Sequence, residues 1–188
     1  MARARLGFLG EARELIEGAL EGARGHRRLE CGRWRYLALV QCLAGALDAA
    51  ESAARESLAC SVPGTPQQVE ALAVMAHVLL LKGRNIEALD HAREAMALLD
   101  ALSALEEGES LVRLVYAEAL RHAGDRDVAR GAIASARDRL LARAARISNP
   151  EWRQSFLENV PDNARTLALA RAWLDEGGEA PQGRADGA

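Results

Sequence analysis

A short motif, in which an alanine stands five residues after a glycine, recurs along the chain at a nearly constant interval. The four copies are Gly7 with Ala12, Gly45 with Ala50, Gly83 with Ala88, and Gly124 with Ala129. Successive copies begin 38, 38 and 41 residues apart. This spacing is typical of stacked helix–turn–helix units, in which glycine makes the tight turn and small residues let helices approach closely. The chain is therefore predicted to be an array of antiparallel helix pairs.

Composition agrees with an all-α fold. The 188 residues are 49% hydrophobic but only 4% aromatic, and much of the apolar share is alanine, the best helix former. No run of alternating β-branched or aromatic residues predicts a strand. The formal net charge of −3 supplies no overall basic field that would attract a nucleic acid.

Amphipathic patterning predicts helices over 9–24, 28–44, 47–59, 67–82, 86–102, 109–123, 126–147, 150–159 and 162–176. Thr65 and Gln68 have capping-box spacing ahead of the fourth helix, with Pro66 at its first position. Ser148 and Glu151 have the same spacing ahead of the eighth helix. Residues 177–188, rich in Gly, Ala and Pro, are predicted to be a disordered tail.

Further small residues align when the units are superposed on the turn glycine. Seven positions before it stand Ala38, Ala76 and Ala117, and the first unit also carries Trp34. This pattern resembles the tetratricopeptide repeat (TPR), whose opening motif is Trp-x2-Leu-Gly-x2-Tyr and whose ideal period is about 34 residues. The resemblance implies an α-α superhelix, a right-handed solenoid of antiparallel helix pairs. It covers residues 1–147: a partial first repeat in 1–25 that supplies only the second helix, and three helix pairs in 26–147.

The C-terminal part carries a second resemblance. Residues 147–157, Ile-Ser-Asn-Pro-Glu-Trp-Arg-Gln-Ser-Phe-Leu, are similar to the extreme C-terminus of large bacterial regulators, in which a serine/threonine kinase or an AAA-type ATPase precedes a TPR region. This chain has no Gly-rich phosphate loop and no His-Arg-Asp or Asp-Phe-Gly motif. We therefore expect a non-enzymatic, cytoplasmic interaction region of a signalling protein. Residues 148–176 are predicted to be capping helices, with Trp152 and Phe156 plugging the end of the array.

The TPR resemblance implies that a protein or peptide partner binds in a concave groove lined by the first helix of each pair. Transferred residue by residue, the groove consists of Arg35, Leu39, Cys42, Glu70, Ala73, His77, Leu80, Leu114, Glu118 and Arg121. In such a groove, apolar side chains hold the partner peptide and a few charged side chains define its register along the groove. Because the first repeat lacks its leading helix, the N-terminal end is predicted to be uncapped and to favour self-association.

Two other functions stay open at this point. Arginines between residues 137 and 153 form a basic cluster that a nucleic acid could use, and His77, Cys42 and Glu118 could line a small-molecule pocket. No metal or other cofactor is expected, because His77 has no second histidine three or four residues away. Cys31, Cys42 and Cys60 form no Cys-x2-Cys pair and are interpreted as small buried hydrophobes in a reducing compartment. Glutamates interrupt the N-terminus where a signal peptide needs an apolar run, and no segment is long enough to span a membrane.

Overall fold

A computed structural model describes residues 4, 7–23, 25–102, 105 and 107–175 of the chain. This part contains nine helices and no strand, which confirms the predicted all-α class. The helices are α1 Leu9–Glu21, α2 Arg27–Leu43, α3 Leu47–Ala59, α4 Pro66–Leu81, α5 Asn85–Leu102, α6 Glu109–His122, α7 Arg126–Ala145, α8 Pro150–Glu158 and α9 Pro161–Asp175. The predicted tail, 177–188, lies outside the described residues.

Consecutive helices pack as pairs, and the pairs stack. Helices α2 with α3, α4 with α5, and α6 with α7 contact each other most extensively. The first helices of the pairs, α2, α4 and α6, also lie side by side, and each second helix contacts the first helix of the next pair. This arrangement creates one continuous surface along α2, α4 and α6, which we call the inner face.

The turn inside each pair is made in the same way three times. Gly45, Gly83 and Gly124 have φ angles of 73°, 74° and 98°, in the left-handed region that residues with a side chain rarely adopt. The amide after each glycine donates to a carbonyl five residues earlier, as in Ala46 to Gln41 at 2.9 Å. This bond satisfies a carbonyl that the end of the helix leaves free. The repeated glycine thus ends the first helix and reverses the chain.

The repeated alanines lie where helices approach each other. All of the following are fully buried, at 0% exposure: Ala38, Ala50, Ala76, Ala88, Ala117 and Ala129. Their small side chains allow the close packing on which the stacking depends. At the N-terminal end, α1 packs on α2, and Ala4, Ala12 and Val40 form a small buried cluster there. Most of residues 1–6 lie outside the described part, so the partial first repeat stays a prediction.

The C-terminal end of the array differs from the prediction. Trp152 is 70% exposed, α8 has no buried residue, and Phe156 is half-buried. Helix α9 packs along α6 and α7 instead, and its Trp173 is only 7% exposed. The prediction of Trp152 as a cap was therefore wrong, because the apolar end of the core is covered by the longer helix α9.

Helix starts also differ in detail from the predicted capping boxes. The Thr65 hydroxyl donates to the Val62 carbonyl at 2.6 Å, and the Gln68 side chain accepts from the Gly64 amide at 2.7 Å, so the α4 box does not form. At α8, Asn149 and not Ser148 is the cap, accepting from the Trp152 amide at 3.0 Å. Both helices begin at the predicted proline.

Candidate functional site

The inner face carries an apolar pocket of about 250 Å³. It is formed by the last turns of α2 and α4, the start of α6 and, from the opposite side, the start of α9. The residues that line this apolar pocket are Leu39, Cys42, Leu43, His77, Leu81, Leu111, Pro161 and Asp162. Leu43 and Leu81 are about half exposed, so the pocket opens to solvent beside large apolar side chains.

A larger and more polar groove, of about 680 Å³, lies at the other end of α2 and α4. Its lining residues are Arg28, Leu29, Gly32, Arg33, Arg35, Tyr36, Pro66, Gln67, Glu70, Leu105 and Glu107. The polar groove and the apolar pocket follow each other along α2, since Arg35 and Leu39 stand one helical turn apart. The inner face therefore presents charges at one end and an apolar opening at the other.

Ion pairs hold the walls of the polar groove. The Arg35 guanidinium contacts Glu70 at 3.0 Å and Glu107 at 3.7 Å, and stacks over the Tyr36 ring at 4.6 Å. The Tyr36 hydroxyl donates to Glu107 at 3.2 Å. Burial raises the pKa of Glu70, with neighbouring Glu107 acting in the same direction and Arg35 against it. Burial likewise raises the pKa of Tyr36.

Two buried guanidinium atoms in this groove have no hydrogen-bond partner within the described part of the chain. They are Arg35 Nε and Arg33 Nη1. Buried donors are almost always satisfied in folded proteins, and leaving one unpaired costs on the order of 1–3 kcal/mol. Both atoms are shielded from solvent, so an acceptor on a bound partner reaches them only if these side chains move.

Burial also sets the protonation of Cys42 and His77 in the apolar pocket. It raises the pKa of Cys42 to about 11, so that this thiol is neutral at physiological pH. It lowers the pKa of His77, and the positive charge of Arg165 adds to this effect. A neutral imidazole both donates and accepts a hydrogen bond, and the pocket carries no net charge from either group. Among the described residues, no group of three His, Cys, Asp or Glu side chains could hold a metal ion.

Five of the ten predicted groove residues line one of the two cavities. Arg35 and Glu70 belong to the polar groove, and Leu39, Cys42 and His77 belong to the apolar pocket. Leu80 is half-buried against two core clusters and lines neither cavity.

The other four predicted residues lie in contacts between helices. Ala73 and Leu114 are 1% and 2% exposed inside core clusters, so their assignment to an open groove was wrong. Glu118 is also buried and accepts from Arg165 of α9 at 2.6 Å. Arg121 stacks over the Trp173 ring at 4.9 Å. Helix α9 covers this part of α6, and the sequence carries no local sign of that contact.

Several lining residues were missed by sequence reasoning. Tyr36 and Glu107 complete the ion-pair network of the polar groove, and Leu81, Pro161 and Asp162 shape the apolar pocket. Leu81 could have been found from helical spacing, because it lies four residues after His77. Pro161 and Asp162 could not, since only the path of the chain brings the start of α9 opposite α2 and α4.

The arginine cluster is largely used by contacts within the chain. The buried Glu109 accepts from Arg113 and Arg139 at 2.9 Å each and from Arg143 at 3.4 Å. Two further arginines are also engaged: Arg137 pairs with Asp138 at 2.8 Å, and Arg153 donates to the Ile147 carbonyl at 2.8 Å.

The three residues of the predicted small-molecule pocket are not brought together. Cys42 and His77 share the apolar pocket, but Glu118 is buried against Arg165 and lines no part of it. The prediction that Glu118 lines a pocket with Cys42 and His77 was therefore wrong, because Arg165 of α9 pairs with Glu118.

The fold is similar to that of solved TPR-like repeat proteins. One is a kinesin light chain-like protein from Podosopora anserina with nearly identical TPR-like repeats, at a TM-score of 0.60 and 15% identity over 95% of this chain and 93% of that one. A single-substitution variant of the same protein gives a TM-score of 0.61 and 15% identity over 95% and 92%.

The chain has a TPR-like superhelical fold. At this level of identity the likeness concerns the fold alone. No protein-family model matches the chain, and no curated protein matches it either. None of the helices in the described ranges is long and apolar enough to cross a membrane.

Proposed function

We propose that this TPR-like array binds an extended segment of a partner protein along its inner face. The observation that carries the proposal is the succession of the polar groove and the apolar pocket along α2 and α4. Peptide recognition commonly combines an apolar anchor in a pocket with a few charges that define register. The inner face offers both, one after the other along α2 and α4.

The size of the apolar pocket favours a side chain over a free small molecule. Pockets for drug-sized ligands measure about 300–1,000 Å³, whereas this pocket measures about 250 Å³. One large apolar side chain of a partner fits this volume. The small-molecule alternative is therefore less favoured, and it also lacks the predicted Glu118.

The arginines of the polar groove indicate which residue of a partner accompanies the apolar anchor. Arg28, Arg33 and Arg35 line this groove, and carboxylates are the strongest acceptors for guanidinium groups. Along α2, the apolar pocket is centred some six residues beyond Arg35, or about 9 Å at 1.5 Å per residue. An extended chain covers this distance in about three residues at 3.3 Å each. We expect partner segments with an acidic residue about three positions from a large apolar one.

Selection from a displayed random-peptide library on the full chain tests this proposal. Enriched peptides should carry the acidic and apolar residues at that spacing. Leu81→Glu places a carboxylate in the apolar pocket and should weaken the enriched peptides by about tenfold or more, because burying an unpaired charge is costly. Ile86→Glu is the matched control, since Ile86 is 65% exposed and lines neither cavity.

Two results would contradict the proposal. One is a library that yields no enriched sequence. The other is enriched peptides that bind Leu81→Glu as tightly as the parent chain, or that lose affinity equally in Ile86→Glu. Circular dichroism of both variants shows whether the fold is intact, so that a lost interaction is not confused with unfolding.

A nucleic-acid interface at residues 137–153 is less favoured. Arg137, Arg139 and Arg153 already bond to groups within the chain, so a phosphate would have to compete for them. We further propose that the array has no chemistry of its own and acts in the cytoplasm. Its resemblance to the C-terminal regions of bacterial kinase and ATPase regulators suggests a role in signalling.

Self-association is a second candidate, favoured by exposed apolar side chains at the N-terminal end. Phe8, Leu15 and Leu29 are 51%, 62% and 51% exposed. Exposed large apolar residues of this kind are found at interfaces between proteins. Sedimentation of the full chain tests it: a mass that increases with concentration and returns to one chain in Leu15→Glu supports association, whereas a single-chain mass at all concentrations excludes it.

A further inference from the structure

Two of the three cysteines meet where α2 packs against the end of α3. Cys31 lies in the second turn of α2 and is buried, and Cys60 directly follows the last residue of α3 and is half-buried. Both are free thiols. Both cysteines bond to Ser57 at this junction. Cys42 is also free but lies about three turns of helix from Cys31, in the apolar pocket.

Hydrogen bonds hold the backbones on both sides of this thiol pair. Arg27 Nε, one turn before Cys31 on α2, donates to the Cys60 carbonyl at 2.9 Å. The Ser57 hydroxyl donates to the Cys31 carbonyl at 3.0 Å, and the Cys60 thiol donates to the Ser57 carbonyl at 3.4 Å. The last turn of α3 is therefore fixed against the first two turns of α2. A disulfide bond between Cys31 and Cys60 would therefore join two helix segments that already pack on each other.

The two thiols differ in their access to solvent. A surface depression of about 390 Å³ is lined by Gly25, Arg27, Glu30, Trp34, Glu56, Ala59 and Cys60. Cys60 is part of its wall and Cys31, at 3% exposure, is not. A small molecule that enters the depression therefore contacts Cys60 and not Cys31.

We infer that Cys60 is a site of thiol–disulfide exchange and that Cys31 resolves it, so that a small disulfide of the glutathione class cross-links α2 to α3. In the first step the Cys60 thiolate attacks one sulfur of the small disulfide, which forms a mixed disulfide and releases one small thiol. In the second step the Cys31 thiolate attacks the Cys60 sulfur and releases the second small thiol. Two protein thiols are oxidised and one small disulfide is reduced to two thiols, so atoms and electrons balance.

The surroundings of Cys60 make this exchange slow at neutral pH. Burial, the contact with Cys31 and the charge of Glu30 raise the pKa of Cys60 to about 12. Only the thiolate is a nucleophile, so at pH values below that pKa the rate should increase by about tenfold for each unit by which the pH is raised. The charged groups that face Cys60 are Arg27, Glu30 and Glu56.

Incubation of the reduced full chain with oxidised glutathione, followed by intact-mass measurement and peptide mapping, tests the inference. The parent chain should form a Cys31–Cys60 cross-link with the loss of two hydrogen atoms, whereas Cys42, which has no second thiol beside it, should carry at most a glutathione adduct. Cys31→Ser should stop at a stable glutathione adduct on Cys60, and Cys60→Ser should form no cross-link. Cys42→Ser is the matched control and should cross-link at the parent rate.

Three results would overturn the inference: a cross-link that includes Cys42, covalent dimers as the main product, or a folded parent chain in which Cys60 stays reduced at pH 9 while the urea-unfolded chain reacts. Circular dichroism identifies variants that do not fold, and Cys31→Ala replaces Cys31→Ser in that case. The readout is a mass and does not depend on the proposed peptide binding. The two proposals therefore fail independently.

Discussion

Trp173 allows a quantitative test of how the repeat array ends. Its ring packs against the buried cluster formed by α6 and α7, is 7% exposed and lies 4.9 Å below the Arg121 guanidinium. A buried aromatic side chain removes about 150–250 Å² from water. At about 25 cal/mol per Å², a burial of about 200 Å² corresponds to about 5 kcal/mol. The alanine side chain keeps a part of this burial, so Trp173→Ala should lower the free energy of unfolding by about 3–5 kcal/mol.

Trp152→Ala provides the matched control, because the same atoms are removed from an exposed position. Trp152 is 70% exposed and lies on α8, which has no buried residue. Its removal should change the free energy of unfolding by less than about 0.5 kcal/mol. Urea unfolding followed by far-ultraviolet circular dichroism measures both values. Equal costs for the two variants, or a negligible cost for Trp173→Ala, would refute the conclusion that α9 closes the core.

Two further predictions concern the turns and the buried charges. Gly83→Ala should lower the free energy of unfolding by about 1–2 kcal/mol, because the turn needs a positive φ. Gly131→Ala, at an exposed position inside α7, should raise it by about 0.5–1 kcal/mol. Urea midpoints that move in the same direction in both variants would contradict this. Glu109→Gln should cost about 1.5–3 kcal/mol at neutral pH. Burial opposes ionisation of Glu109, but hydrogen bonds from Arg113 and Arg139 outweigh it and lower its pKa in the folded state. This stabilisation is therefore complete above the unfolded pKa of about 4.3 and is lost as the pH falls through the lower folded value. The difference between Glu109→Gln and the parent chain should decrease over that range, and a difference that is constant with pH would refute the argument.

The repeat itself was predictable because its causes are local. Gly45, Gly83 and Gly124 adopt backbone conformations that other residues disfavour, so they indicate where the chain reverses. Alanines at fixed distances from these glycines indicate where helices can approach closely, and Ala38, like its counterparts, is fully buried. The 3.6-residue period then predicts the helices between the turns.

The candidate site was predictable only in part. Helical spacing places Arg35, Leu39 and Cys42 on one face of α2, and these residues do line the two cavities. The same reasoning failed for Leu114 and Glu118, because α9 packs over them. The sequence of a helix face does not show whether that face is exposed to solvent or covered by another helix. Trp152 and Trp173 show the same difficulty, since nothing near either tryptophan in the sequence distinguishes the exposed one from the buried one.

The sequence by itself determined the period, the turns and the all-α class, because these follow from backbone sterics and from side chains a few residues apart. The tertiary structure decided which faces are covered, where the apolar pocket closes and which charges pair. Glu118 and Arg165 stand far apart in the chain yet form an ion pair, and Cys31 and Cys60 meet only because α2 and α3 fold onto each other. Such contacts depend on the burial of apolar surface between whole helices. That energy is shared among many residues, so no short segment of the sequence reveals it.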